Sequence, residues 1–107
     1  MRYGTDEQRG YFLPRLADGT LIPCFGLTGP HSGSDATSLI GSYGTVEKGP
    51  DGELGVRATF DKRYITLAPV AGVVGVGFDL KDPDGLLGGQ GGEGFTVALL
   101  ERGHEGL

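Results

Sequence analysis

The chain has no tryptophan, one cysteine (Cys24) and one methionine among its 107 residues. A single cysteine excludes an intrachain disulfide and any cysteine-built metal centre; it points to a reducing compartment, so a cytoplasmic location is expected. Basic charge is also scarce. Nine Lys and Arg stand against fourteen Asp and Glu, a net charge of −5, which argues against nucleic acid or anionic lipid as a nonspecific partner. No apolar run approaches a membrane span, and the opening MRYGTDEQRGYF is polar and charged, unlike a signal peptide.

The usual chemical signatures are missing too. There is no GxxxxGK[ST], and Gly75 and Gly77 do not complete GxGxxG because Leu80 fills its last position. Ser34 and Asp35 adjoin, but outside any GxSxG elbow. His31 and His104 lack HxxxH spacing and read as surface histidines. DLKDPDG (79–85) gathers three aspartates without the ligand spacing of an EF-hand, and reads as a turn. GGQGGEG (88–94) is single and lacks the aspartate of calcium-binding glycine repeats, so it reads as a flexible connection. No metal site is expected, and no catalytic side chain is assigned.

Glycine is what the chain has in excess: 22 residues, roughly three times the usual ~7% share. The glycines follow no Gly-X-Y period. They interrupt apolar runs such as AGVVGVGF (71–78), which favours strands with bends or close backbone approaches over helix.

One stretch reads as helical, TDEQRGYFLPRLA (5–17). Thr5 or Asp6 can cap it, Glu7 suits the first turn, and Tyr11, Phe12, Leu13 and Leu16 form a partial apolar face. Pro14 predicts a break or kink, and Asp18-Gly19 a stop. From Thr20 the texture is β. TLIPCFGL (20–27) reads as a strand at an edge or bulge because of Pro23, and SLIGSYGTVEK (38–48) is mixed. GPDGE (49–53) is a turn. LGVRATFDK (54–62) alternates, with Leu54, Val56, Ala58 and Phe60 on one face. RYITLAP (63–69) is β-prone, VAGVVGVGFDL (70–80) reads as a central strand, and FTVALLE (95–101) as the last. The expected fold is mainly β, a small antiparallel barrel or two packed sheets, preceded by one short helix. The chain opens in a helix and stops at EGL without a closing element, so it is expected to be a piece of a larger protein.

GLTGPHSGSDATS (26–38), dense in glycine and hydroxyl side chains, reads by itself as a loop. Two segments together change that. FGLTGPHSGSDA (25–36) resembles the acyl-CoA dehydrogenase superfamily signature, an aromatic and small apolar residues followed by T-E-P-x-x-G-S-D. KRYITLAP (62–69) is similar to that family's K-x-W/Y-I-T segment. The flanks agree: GTDEQRGYFLPRLADG (4–19) looks like the end of an N-terminal helical domain, and LLGGQGGEGFTVALLERGHEGL (86–107) like the approach to a C-terminal one. KRYITLAP and DPDGLLGG look closest to the large bacterial fatty-acid β-oxidation dehydrogenases. One departure stands out: Gly29 occupies the place where the family usually has Glu.

The resemblance implies residues 1–19 as the end of a helical domain and 20–107 as the middle β domain of an FAD enzyme. It implies that Phe25, Leu27 and Thr28 meet the flavin at a strand end, with backbone N–H groups and the Thr28 hydroxyl facing the pyrimidine edge. It implies that Tyr64 packs on the ring, and that Thr66, two residues along the same strand face, reaches the N5 region. Gly33 and Ser34 fall where the family contacts its acyl-CoA. The implied reaction is α,β-dehydrogenation of a fatty acyl-CoA. Its glutamate base comes from the C-terminal helical domain, so Glu47, Glu53, Glu93, Glu101 and Glu105 are not assigned that role. The isolated chain is expected to be inactive and to hold FAD weakly or not at all. Implied partners are the missing helical domains, an electron-transfer partner and further copies in a homo-oligomer. An acyl-CoA oxidase of the same fold and a noncatalytic β scaffold remain as alternatives.

Overall fold

The structure, a computed structural model, describes residues 3–89 and 92–107. Gln90 and Gly91, within the glycine-rich connection read from the sequence, lie outside the described residues.

Helix α1 spans Asp6–Ala17. Its start is fixed by a reciprocal cap: the Gln8 N–H donates to Thr5 Oγ1 at 3.1 Å, and the Thr5 N–H to Gln8 Oε1 at 3.0 Å. Asp6 and Glu7 in the first turn and Arg15 in the last suit the helix dipole. The break expected at Pro14 does not occur. Proline there removes one bond close to the helix end, and the next is kept, with the Asp18 N–H on the Pro14 carbonyl at 3.0 Å. Asp18 and Gly19 (φ 80°) then end the helix as expected. The buried Phe12 anchors α1 to the β domain, and the Tyr11 hydroxyl donates to Glu101 at 3.0 Å.

Five strands follow: β1 (Pro23–Gly26), β2 (Tyr43–Lys48), β3 (Leu54–Thr59), β4 (Val73–Lys81) and β5 (Gly94–Glu101). They form one sheet around β4. β5 lies antiparallel along one edge of β4, from Val73↔Glu101 to Leu80↔Gly94. The other edge is divided: β1 pairs with its first half (Pro23↔Val73 to Gly26↔Val76) and β2 with its end (Tyr43↔Asp79 to Thr45↔Lys81). Both of these pairings are parallel, and only β2–β3 and β4–β5 are antiparallel. The fold is thus mainly β with one short helix, as expected. The antiparallel barrel or pair of sheets is corrected to an open sheet of mixed direction, unclosed among the described residues. The reason is that long crossings rather than hairpins carry the chain from β1 to β4 and from β2 to β4, which makes these neighbours parallel.

β4 is the central strand that its two-sided apolar pattern predicts. Val74, Val76, Phe78 and Leu80 enter the main core with Val46 and Ala71. β1 begins with Pro23 at the sheet's rim, where the missing N–H costs no ladder bond. β3 stops at Thr59, and all of its residues are exposed; Phe60, just beyond, is the one that packs against the core.

The segment 63–69 is the main departure from the sequence reading. It is a pair of turns and not a strand, with Tyr64 at φ 61° and Leu67 at φ 67°. The Ala68 N–H reaches the Ile65 carbonyl at 3.2 Å, and those of Val70 and Ala71 share the Leu67 carbonyl at 3.0 and 2.9 Å. Tyr64 and Thr66 therefore do not share a strand face, and that argument for their common direction fails.

Candidate functional site

The two sequence motifs meet at the C-terminal end of β1. Phe25 and Leu27 pass over glycines of β4: a Cβ on Gly75 would lie 3.1 Å from the Phe25 ring, and one on Gly77 only 2.9 Å from Leu27 Cδ1. These glycines make the room in which the two side chains lie. Phe95 and Val97 of β5 flank the same trough. Phe25 stays 50% exposed.

Beyond Gly26 the chain runs beside the second motif. Lys62 Nζ donates to the Leu27 carbonyl at 2.9 Å, and the Arg63 N–H donates to the Thr28 carbonyl at 2.9 Å. The Leu27–Thr28 peptide is trans, so its N–H points opposite to the carbonyl that Lys62 holds. The Thr28 N–H is thereby turned away from Lys62. Burial pushes the Lys62 ammonium below its ordinary pKa, and its bond to the carbonyl takes the place of part of its hydration.

Gly29 is where the approach is tightest. A Cβ there would sit 3.0 Å from the Asp61 carbonyl and 3.4 Å from Ser32 Oγ. Gly29 and Ser32 also exchange backbone bonds at 3.0 and 3.4 Å, and the Ser32 hydroxyl is buried without a hydrogen-bond partner among the described residues. The departure from the signature glutamate thus coincides with a contact that a side chain would obstruct. After it the loop is open. Gly33 and Ser34 are exposed, and Gly33 has no heavy atom within 4 Å of where a Cβ would stand. Asp35 stabilises the exit, accepting from Thr37 Oγ1 at 3.1 Å and, through its carbonyl, from the Ser38 N–H at 3.1 Å.

Leu27 and Thr28 are therefore tied to the segment that leads into Tyr64 and Thr66, whereas Phe25 lies over Gly75 of β4. Tyr64 is 90% exposed, and Thr66 is exposed on the following turn. A groove of about 440 Å³ runs between Gly26, Lys62, Ile65, Ala68 and Arg102. Sequence reading assigned no role to Lys62 or Arg102. Lys62 lies within the second motif and could have been found there. Arg102 had no local signal, since its partners lie more than thirty residues away.

No family model matches the chain. It is 33% identical over 105 residues to an acyl-CoA dehydrogenase of Bacillus subtilis (strain 168), covering 98% of the chain and 24% of that protein. It is 32% identical over 106 residues to the short-chain-specific acyl-CoA dehydrogenase of Megasphaera elsdenii, covering 99% of the chain and 25% of that protein. Among solved structures, the FAD complex of PigA superposes with a TM-score of 0.75 at 28% identity, over 98% of the chain and 24% of its own. The chain belongs to the acyl-CoA dehydrogenase family. A further member, glutaryl-CoA dehydrogenase from Mycobacterium smegmatis in complex with FADH2, superposes with a TM-score of 0.70 at 29% identity, over 94% of this chain and 22% of its own. The chain spans about a quarter of the length of the curated family members it matches.

Proposed function

We propose that this chain is the flavin- and acyl-CoA-contacting middle β domain of an FAD-dependent acyl-CoA dehydrogenase that introduces an α,β double bond into a fatty acyl-CoA. Residues 20–107 form that domain, and residues 1–19 end the helical domain before it. The observation that carries the reading is the pair of bonds from Lys62 and Arg63 to the Leu27 and Thr28 carbonyls, which join the two motifs at one corner.

The residues at this corner fit a planar ring with one polar edge. Exposed aromatic surface is present at Phe25 and Tyr64, the Thr28 N–H points away from the carbonyl that Lys62 holds, and the Thr28 and Thr66 hydroxyls would supply further donors. Fixed donors at an edge that gains negative charge on reduction stabilise that charge without reorganising. FAD, when bound, supplies the acceptor for the substrate's β-hydrogen as hydride. The chain's own part would be to hold and orient: Phe25, Leu27 and Thr28 would support the ring, Tyr64 would pack on it, and Thr66 would offer its hydroxyl to the N5 region. Gly33 and Ser34, on the open part of the loop, take the acyl-CoA. The base that removes the α-proton belongs to the C-terminal helical domain, so the 107-residue chain alone is inactive; it holds FAD weakly or not at all. Cytoplasmic residence, a homo-oligomer and an electron-transfer partner belong to the same reading.

The test is Thr28→Val and Thr66→Val in the complete flavoenzyme. Each is expected to shift the flavin's visible spectrum and lower its midpoint potential, with turnover falling about tenfold or more per lost donor. Unchanged spectrum, potential and turnover in both variants favour the scaffold reading instead.

A further inference from the structure

The turn that carries Thr66 is built against local preference. Tyr64 and Leu67 both adopt left-handed backbone, at φ 61° and 67°. Side-chain-bearing residues avoid that region, and it persists where the surroundings over-determine it. The turn's own bonds use the Ile65 and Leu67 carbonyls. Two more carbonyls, those of Ala68 and Ala71, are taken by one side chain. Arg102 Nε donates to the Ala71 carbonyl at 2.6 Å, and Nη2 to the Ala68 carbonyl at 2.5 Å. The Arg102 backbone is itself secured, its N–H on the Gly72 carbonyl at 2.9 Å. A planar guanidinium holds two acceptors in a fixed fork, which an ammonium cannot reproduce. With Nε and Nη2 committed to carbonyls, Arg102 acts on backbone shape.

We infer that Arg102 is a positioning residue for the flavin site: it braces the 64–71 turn in the form that presents the Thr66 hydroxyl. This rests on the proposed flavin role of Thr66 and adds to it a residue outside both sequence motifs. The prior residue, Glu101, accepts from Tyr11 of α1, so the end of β5 secures the helix on one side and this turn on the other.

The experiment uses the flavin-loaded enzyme, with Arg102→Met, Arg102→Lys and Thr66→Val, singly and with Arg102→Met combined with Thr66→Val. Amide hydrogen exchange at Ala68, Val70 and Ala71 is expected to speed up about tenfold in Arg102→Met, less in Arg102→Lys, with Val74 and Val76 of β4 unchanged. The flavin absorption spectrum and midpoint potential should move in the same direction in Arg102→Met as in Thr66→Val. Arg102→Met should add nothing in the Thr66→Val background. Unchanged exchange in the turn, additive effects in the double variant, or a flavin response to Thr66→Val alone each overturn the inference while leaving the flavin reading in place. No response to Thr66→Val overturns the inference together with the Thr66 role it rests on; the flavin reading falls as well when Thr28→Val is also silent. If Arg102→Met does not fold, Arg102→Lys and Arg102→Gln carry the same comparison.

Discussion

Replacing Gly44 by alanine tests the packing of this sheet most directly. Gly44 sits in β2 opposite Ala58 of β3, beside the end of β4. A Cβ there would stand 2.6 and 2.9 Å from two atoms of the Phe78 ring and 2.8 Å from Val56 Cγ1. Ordinary carbon contacts are about 3.5–4.0 Å, so the ring must retreat by roughly 1 Å. It has little room to do so, because Phe78 is only 2% exposed and belongs to the same core as Val46, Val76 and Leu80. Overpacking of this kind costs about 1–3 kcal/mol. Against it stands the gain of ~0.5–1 kcal/mol from removing a glycine's backbone freedom, which leaves a net loss of about 0–2.5 kcal/mol, centred near 1.25. For a domain of this size each kcal/mol moves Tm by about 4–8 °C, so a fall of roughly 5–10 °C is expected. Thermal unfolding followed by circular dichroism, with urea titration for the free energy, measures it. Gly33→Ala is the control: it has open space and no left-handed backbone, so it should be neutral or raise stability by about 0.4–1 kcal/mol. Adding Phe78→Leu to Gly44→Ala should cost less than the sum of the single changes, because the smaller side chain relieves the clash. A Gly44→Ala protein more stable than the parent would refute the close-packed register of β2 on β4.

Restoring the signature glutamate with Gly29→Glu should destabilise the loop by about 1–3 kcal/mol, since its Cβ meets the Asp61 carbonyl at 3.0 Å; urea unfolding measures the loss, and equal or greater stability overturns it. Lys62 titrates below its ordinary value when folded, so between the folded and unfolded pKa values the unfolded chain binds more protons and the Lys62 contribution to stability rises as pH increases. Comparing urea unfolding of the parent and Lys62→Met from neutral pH to about 10.5 should show that rise in the parent alone; parallel curves would contradict it.

Much of this architecture was legible because its causes are local. The Thr5–Gln8 cap and the Asp18-Gly19 stop lie within a few residues of what they control, and so does the Gly49–Glu53 turn, closed by a 2.8 Å backbone bond. β4 could be read from its apolar residues on both faces. Strand direction could not, because nothing in PCFG or YGTVEK marks the partner as parallel. The segment RYITLAP was misread for a similar reason. Tyr, Ile and Thr favour strands, and its shape as a turn is set by Thr28 on one side and Arg102 on the other. The site was legible as two motifs in order. That they touch through carbonyls held by Lys62 and Arg63 is a property of the folded chain, as is the brace at Arg102.

The divided edge of β4 has a mechanical consequence. The chain leaves that edge after Gly26, beside Val76, and rejoins it at Tyr43, beside Asp79. Everything between is an excursion whose two anchor points sit a few residues apart on one rigid rail. Closing such an excursion costs little more as it lengthens, and no strand pair has to change partners to accommodate it. Its start is tied to Lys62 and Arg63 through the Leu27 and Thr28 carbonyls, but the exposed stretch 33–37 beyond them can change length or shape while the rail beneath keeps its alignment.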